Sequence, residues 1–189
     1  MILVFDTEAT GLPRNFYASI QDTTNWPRVV QLAWQTFDTQ GTLLSTHNYI
    51  IKPEGFTIPA RAAEIHGITT DRALLEGKPL LTVLNELNEA LRTATLLVAH
   101  NVRFDLYVLG AEMARASLPT RLFDMPNLCT QMSSTHYCRL PGKYGFKWPT
   151  LNELHLKLFG EPVANAHDAL GDVQATARAF FKLREIGVI

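Results

Sequence analysis

At 189 residues, with 47% hydrophobic and 19% charged side chains, the chain suits one domain spanning residues 1–189 with a core of its own, and the composition excludes a disordered polymer. A net charge of −1 excludes a general basic field, so a nucleic-acid partner would have to be held locally or through bound cations. Cys129 and Cys138 are too few for a disulfide scaffold and fit a reducing, cytoplasmic setting; Asp6 leaves no room for a signal peptide, and no run reaches the ~18 apolar residues of a membrane span.

Ile2–Phe5 is predicted as a short buried strand that runs directly into Asp6 and Glu8. Pro13–Pro27, carrying Tyr17 and Trp26, is longer than a usual hairpin connection and is read as a loop that shapes a binding site. Arg28–Asp38 and Leu43–Pro53 predict two further strands, with Gln40-Gly41 as the turn between them. Pro59 opens a helix that Gly67 closes. Pro79–Arg92 predicts an amphipathic helix with Leu80, Val83, Leu84, Leu87 and Leu91 on one face. Thr95–His100 is nearly all apolar, as a strand covered on both faces would be. Helices are predicted near Val102–Ala116, Thr150–Phe159 and Asp168–Glu185. This order predicts the α/β class, a mixed central sheet flanked by helices.

Residues i and i+2 of a strand project to one face, so Asp6 and Glu8 can aim at a common point. "VAHNVRFD" places Asp105 just inside a helix, with Asn101 four residues earlier on the same predicted face. "NAHDALGDVQ" places Asp168 and Asp172 on one helix face, with His167 ahead of the first turn. Singly, each acid has a structural reading: Asp168 and Asp105 suit helix N-termini, and Glu8 suits a turn. Together, Asp6, Glu8, Asp105 and Asp172 each lie at the end of a predicted core element. If they converge they repel one another, and divalent cations relieve the repulsion. Oxygen ligands suit Mg²⁺ or Mn²⁺, and two such ions ~3.5–4 Å apart can activate water against a phosphodiester. A neighbouring histidine, ordinarily titrating near about 6.5, would serve as the base.

The ordered set "FDTEATG", "HNVRFD" and "HDALGD" resembles the three exonuclease motifs of the DnaQ-like DEDDh family, and "EIHGIT" (Glu64–Thr69) resembles a segment of its polymerase-proofreading branch. The resemblance runs from Ile2 to about Phe181. It implies a ribonuclease H-like fold and 3′→5′ hydrolysis releasing nucleoside monophosphates, with two divalent metal ions. The four metal-binding acids fall on Asp6, Glu8, Asp105 and Asp172, and the general base on His167; Asp168 matches no role. By the same matching, Thr10, Gly11 and Leu12 form the turn beneath the terminal nucleotide, and His66, Asn101 and Phe104 line its pocket. The implied partner is a nucleic-acid 3′ end, foremost single-stranded DNA. The proofreading subunit also carries a polymerase-binding tail; nothing comparable is expected here, so the chain works alone or its polymerase or repair contacts lie outside this sequence.

Two other readings stay open: an exoribonuclease acting on RNA or short oligoribonucleotides, and a silent DnaQ-like binding module. The intact set of four acids and the histidine counts against the second. In "RLPGKYGFKWPT" (Arg139–Thr150), Trp148-Pro149 is read as anchoring a loop to the next helix, while Lys143 and Lys147 remain candidates for substrate contact. Cys129, His136 and Cys138 lack zinc-site spacing and a fourth ligand. His47 and His155 are read as surface or packing residues.

Overall fold

The computed structural model describes residues 1–164 and 166–189. Strand β1 (Ile2–Ala9) runs on through both acids, four residues beyond the predicted Phe5, because β2 (Val29–Phe37) pairs with it antiparallel as far as Ala9. β3 (Leu43–Ile50) pairs with β2 across a tight turn in which the Asp38 carboxylate accepts from the Gln40 and Thr42 N–H groups. Helix α1 (Ala60–His66) ends on Gly67 in the left-handed conformation, as the sequence predicts. α2 (Thr70–Glu76), capped by the Thr69 hydroxyl, had no apolar stripe to reveal it. α3 (Leu80–Thr93) buries the five apolar residues of its predicted face.

β4 (Leu96–Ala99) lies parallel to β1, and α4 (Val102–Arg115) leaves its end. β5 (Asn127–Cys129) adds a further parallel strand, too short for a sequence signal, followed by the turns α5 (Thr130–Ser133) and α6 (Thr135–Cys138). A two-stranded hairpin, β6 (Pro141–Gly142) and β7 (Gly145–Phe146), precedes α7 (Leu151–Phe159), whose Thr150–Glu153 capping box fixes its start. α8 (Ala169–Glu185) closes the fold.

The sheet order is β3-β2-β1-β4-β5, a mixed five-stranded sheet with helices on both faces. β2 is buried along its whole length because both its faces are covered. Leu3, Phe5, Leu32, Trp34 and Leu97 pack against α3 and α4 on one face. Ile2, Val4, Ala33, Phe37 and Val98 pack against α8 on the other. Of the two alternatives read for His47 and His155, surface or packing, both take packing: His47 stacks on Trp34 at 4.5 Å, and buried His155 donates through Nε2 to Ala175 O at 2.8 Å. Among the described residues no helix is long and apolar enough to cross a membrane.

Candidate active site

The register of β1 creates the site. Its last parallel pairing with β4 is Val4 with Val98, whereas pairing with β2 continues to Ala9. The second half of β1 thus overhangs the end of β4, where α4 begins. This edge, at the carboxyl ends of parallel strands, is where α/β sheets leave room for ligands. Alternation along the strand then divides the work. Odd-numbered Leu3 and Phe5 face α3 and α4, and Thr7 continues that row; even-numbered Ile2 and Val4 face α8, and Asp6 and Glu8 continue that one.

Thr7 fixes the acid of α4. Its backbone N–H (3.0 Å) and hydroxyl (2.7 Å) both donate to Asp105 Oδ1, which lies buried in the first turn of that helix. From the opposite face α8 supplies Asp172, also in a first turn. Its placement depends on Gln31, which opposes Glu8 in the β1–β2 register. The Gln31 amide donates to Asp168 Oδ1 (2.8 Å) and Asn48 Oδ1 (2.9 Å), and its carbonyl accepts from Ala169 N–H (3.2 Å). Asp168 meanwhile accepts from Gly171 N–H (3.1 Å), the helix-capping role predicted for it. The sequence reading passed over Gln31, although a glutamine inside an apolar strand has to find buried partners.

Glu8, His167 and Asp172 each offer a ligand atom within 4.8 Å of one another. His167 is exposed, sits at φ 66°, and donates its backbone N–H to Asp172 Oδ2 at 3.3 Å. The carboxylates resist ionisation together. Burial, then the charges of Asp105, Asp172 and Glu8, push Asp6 well above the ordinary range. Burial and then Asp172 push Glu8 up to about 8. Burial raises Asp105 to about 7 against the lowering effect of its Thr7 hydrogen bonds, and burial likewise raises Asp172. Such a cluster takes up protons or cations. An oxygen donor set with one imidazole at its margin fits Mg²⁺ or Mn²⁺ better than a tetrahedral zinc centre.

Beside the acids opens a cleft of about 560 Å³ lined by Glu8, Thr10, Gly11, Leu12, His66 and Phe104. Five predicted nucleotide-pocket residues therefore meet at one place. Gly11 adopts φ 149°, and a Cβ there would meet nothing within 4 Å, so its constraint is the backbone. His66 accepts from Ile68 N–H through Nδ1 (3.1 Å), which leaves a proton on Nε2, and that group has no partner among the described residues. Burial lowers the His66 pKa and keeps the ring neutral. Phe104 both lines the cleft and packs on the core. Arg61 and Ile65 also line the cleft; on a short helix they carried no motif that sequence could single out.

Two readings are corrected. Asn101 does not share a helix face with Asp105: it precedes α4 in the left-handed conformation at φ 71°, exposed and outside the cleft lining. Trp148 does not anchor the loop before α7. It is 59% exposed, and the anchor is the Pro149 carbonyl, which accepts from His100 Nε2 (3.0 Å) and Gln131 Nε2 (3.3 Å). Lys147 pairs with Glu153 at 2.6 Å, and Lys143 stands at the hairpin tip. Cys129, His136 and Cys138 form no metal-holding group among the described residues, and His136 instead meets Phe146 edge-on. The Pro13–Pro27 segment is fastened at its base: Arg115 donates to Thr23 O and Trp26 O, and Arg103 to Phe16 O.

An exonuclease family model, RNase_T, matches residues 3–180. The DNA polymerase III subunit epsilon-like protein of Rhodobacter capsulatus is 31% identical over 185 residues, 96% of this chain and 23% of its own length. DNA polymerase III PolC-type of Streptococcus thermophilus is 30% identical over 179 residues, 95% of this chain and 11% of its own length. The chain thus spans less than a quarter of either relative. E. coli exonuclease I in complex with a dA16 oligonucleotide shares the fold, with TM-score 0.76 at 22% identity over 99% of this chain and 42% of that one. The family match extends across all three acidic motifs and the elements that mount them, and on it the chain belongs to the DnaQ-like exonuclease family.

Proposed function

We propose that the chain is a metal-dependent 3′→5′ exonuclease that removes nucleoside monophosphates from the 3′ end of single-stranded DNA. The observation that carries this is a cluster of four proton-hungry carboxylates beside a nucleotide-sized cleft. Asp6, Glu8, Asp105 and Asp172 would hold two Mg²⁺ or Mn²⁺ ions. Bound there, such ions supply an activated water and neutralise charge on the leaving 3′ oxygen. His167, next to Glu8 and Asp172 yet open to solvent, takes the proton from the attacking water and delivers it to bulk. Thr10 and Gly11 floor the terminal nucleotide, Leu12 wedges it from its neighbour, Phe104 offers a ring face, and the His66 Nε2–H donates to its sugar or base. Asp105 is oriented by Thr7, and Asp172 by Gln31 acting through the start of α8.

The polymerase relatives, and exonuclease I structures bearing dT13 and dA16, support DNA as the substrate and a replication or repair polymerase as an outside partner. The test is degradation of single strands labelled at the 3′ or the 5′ end, DNA beside RNA, in Mg²⁺, Mn²⁺ or EDTA. The expected result is early loss of the 3′ label from DNA with metal, and none in EDTA. Faster digestion of RNA would reassign the substrate, and full activity in EDTA would overturn the mechanism.

A further inference from the structure

The hairpin β6–β7 presents Tyr144 at 90% exposure, Phe146 at 47% and Trp148 at 59%. Three large aromatics left in solvent within five residues call for an explanation, since packing does not supply one. They alternate along the returning strand, whose ladder continues with Lys147 N–H donating to Leu140 O (3.0 Å). Lys143 lies over the Tyr144 ring at 5.0 Å, which puts a cation beside the outermost aromatic. The hairpin is short but firmly held. Phe146 meets His136, Lys147 pairs with Glu153, and Pro149 O is bonded to His100 and Gln131.

The His100 bond ties this platform to the site. His100 directly follows β4 and starts the loop into α4, the helix that carries Asp105. Its Nε2 faces a carbonyl and so carries the proton, its Nδ1 accepts from the Thr130 hydroxyl (3.0 Å), and burial holds its pKa down at about 4. The link is therefore a fixed neutral one. The cleft lies against β1 and α1, whereas the hairpin is tied to the end of β4, the next strand in the sheet. β1, which carries two of the acids, pairs with β4, so a strand whose last nucleotide fills the cleft and whose scissile phosphate sits on the acids has the β4 side, where the hairpin is anchored, open to its upstream nucleotides.

We propose that the Arg139–Trp148 hairpin is a stacking platform for the nucleotides upstream of the scissile bond in a single-stranded polynucleotide, with Tyr144 and Trp148 as base-stacking faces and Lys143 as a phosphate contact. Aromatic faces interleaved with cations are the sequence-tolerant means of holding unpaired strands. A net charge of −1 leaves no diffuse basic field to draw the substrate in, so a local contact of this kind adds to what bound cations supply. This inference rests on the exonuclease reading above.

The test compares hydrolysis of a thymidine oligonucleotide of about twenty residues with that of the p-nitrophenyl ester of thymidine 5′-monophosphate, which carries no upstream nucleotide. In Tyr144→Ala and Trp148→Ala, the ratio of oligonucleotide to ester kcat/KM should fall at least about fivefold each, the loss expected for one stacked base. Lys143→Gln should flatten the dependence of log KM on log salt by about 0.7. An unchanged ratio in both aromatic variants and in their double would overturn the proposal. So would a shift in self-association with no change in the ratio, which would give the patch to a second copy of the chain. If the wild type cleaves neither substrate, the exonuclease reading fails by itself. Binding then decides: a labelled thymidine oligonucleotide in EDTA should bind the wild type at least about fivefold more tightly than either aromatic variant, and equal affinities would overturn the platform.

Discussion

Replacing Glu8 with glutamine should stabilise the metal-free protein, and more so as pH rises. Glu8 titrates near 4.5 when unfolded and near about 8 when folded, so between these values the folded chain holds a proton that the unfolded chain has released. Ionisation therefore opposes folding: the contribution is fully favourable below the unfolded value and is lost as pH climbs toward the folded one. Between pH 5 and pH 7 the loss from Glu8 comes to ~2.5 kcal/mol at ~1.4 kcal/mol per unit, or about 5–10 °C in Tm for a domain of this size. His100 works the other way over the same range. Its folded value of about 4 lies below the unfolded value of 6.5, so it adds stability as pH rises to 6.5. A simple pH scan would mix the two, whereas the difference between wild type and Glu8→Gln at each pH cancels His100. Glutamine keeps the shape of the protonated acid without its charge. In EDTA the Tm of the variant should rise relative to wild type by about 5–10 °C between pH 5 and pH 7. Millimolar Mg²⁺ should narrow or reverse the gap by stabilising the wild type more. A gap that does not change with pH, or a variant less stable than wild type at pH 7 in EDTA, would refute both the electrostatic account and the metal-site reading.

His167→Ala should lower kcat ~10²–10⁴-fold with little change in Tm, because the side chain is exposed; calorimetry beside single-strand digestion checks both. Gln31→Leu should cost ~1–3 kcal/mol in urea unfolding and weaken Mn²⁺ binding by calorimetric titration, since the start of α8 loses its tie to β2. Glu112→Ala should cost ~3–5 kcal/mol in urea, because fully buried Glu112 accepts from Arg28 (2.8 Å) and Val29 N–H (3.0 Å) and pairs with Arg115 (3.1 Å). Leu12→Ala, at a position 74% exposed, should leave stability within ~0.5 kcal/mol while raising KM for single strands.

Elements with a periodic apolar pattern were legible in the sequence: the five buried residues of α3 are the five that the pattern names. β5 and α2 were not: β5 is three residues long and is defined by pairing with β4 that arises only in the assembled sheet, and α2 is seven residues long with a local Thr69 cap but no apolar stripe. The length of β1 was misread for a related reason. An acid ends an apolar run, yet Asp6 and Glu8 remain strand because β2 supplies their ladder partners. The acids stood out because their residue type conflicts with their surroundings. Asn101 was misplaced because the four-residue spacing assumed helix one residue too early, whereas the chain turns through the left-handed region there. Gln31 and Thr7, which aim the acids, are ordinary polar residues in sequence and acquire their role from partners 137 and 98 positions away.

That separation bears on how the site forms. Asp6 and Glu8 come together locally on β1, but Asp105 joins them only when β4 pairs beside β1, and Asp172 only when α8 packs on the opposite face. Each step brings another carboxylate toward the others, and each added charge raises the pKa values of those present. The sheet must therefore be held together by something other than its site. The two apolar layers do this, with Phe5, Trp34 and Leu87 on one side and Val4, Val173 and Phe180 on the other, all buried. The repulsion is confined to the part of β1 that overhangs β4, where solvent or a cation can reach it. A site placed one residue pair earlier in β1 would sit at Val4, between the core layers, and would have neither outlet.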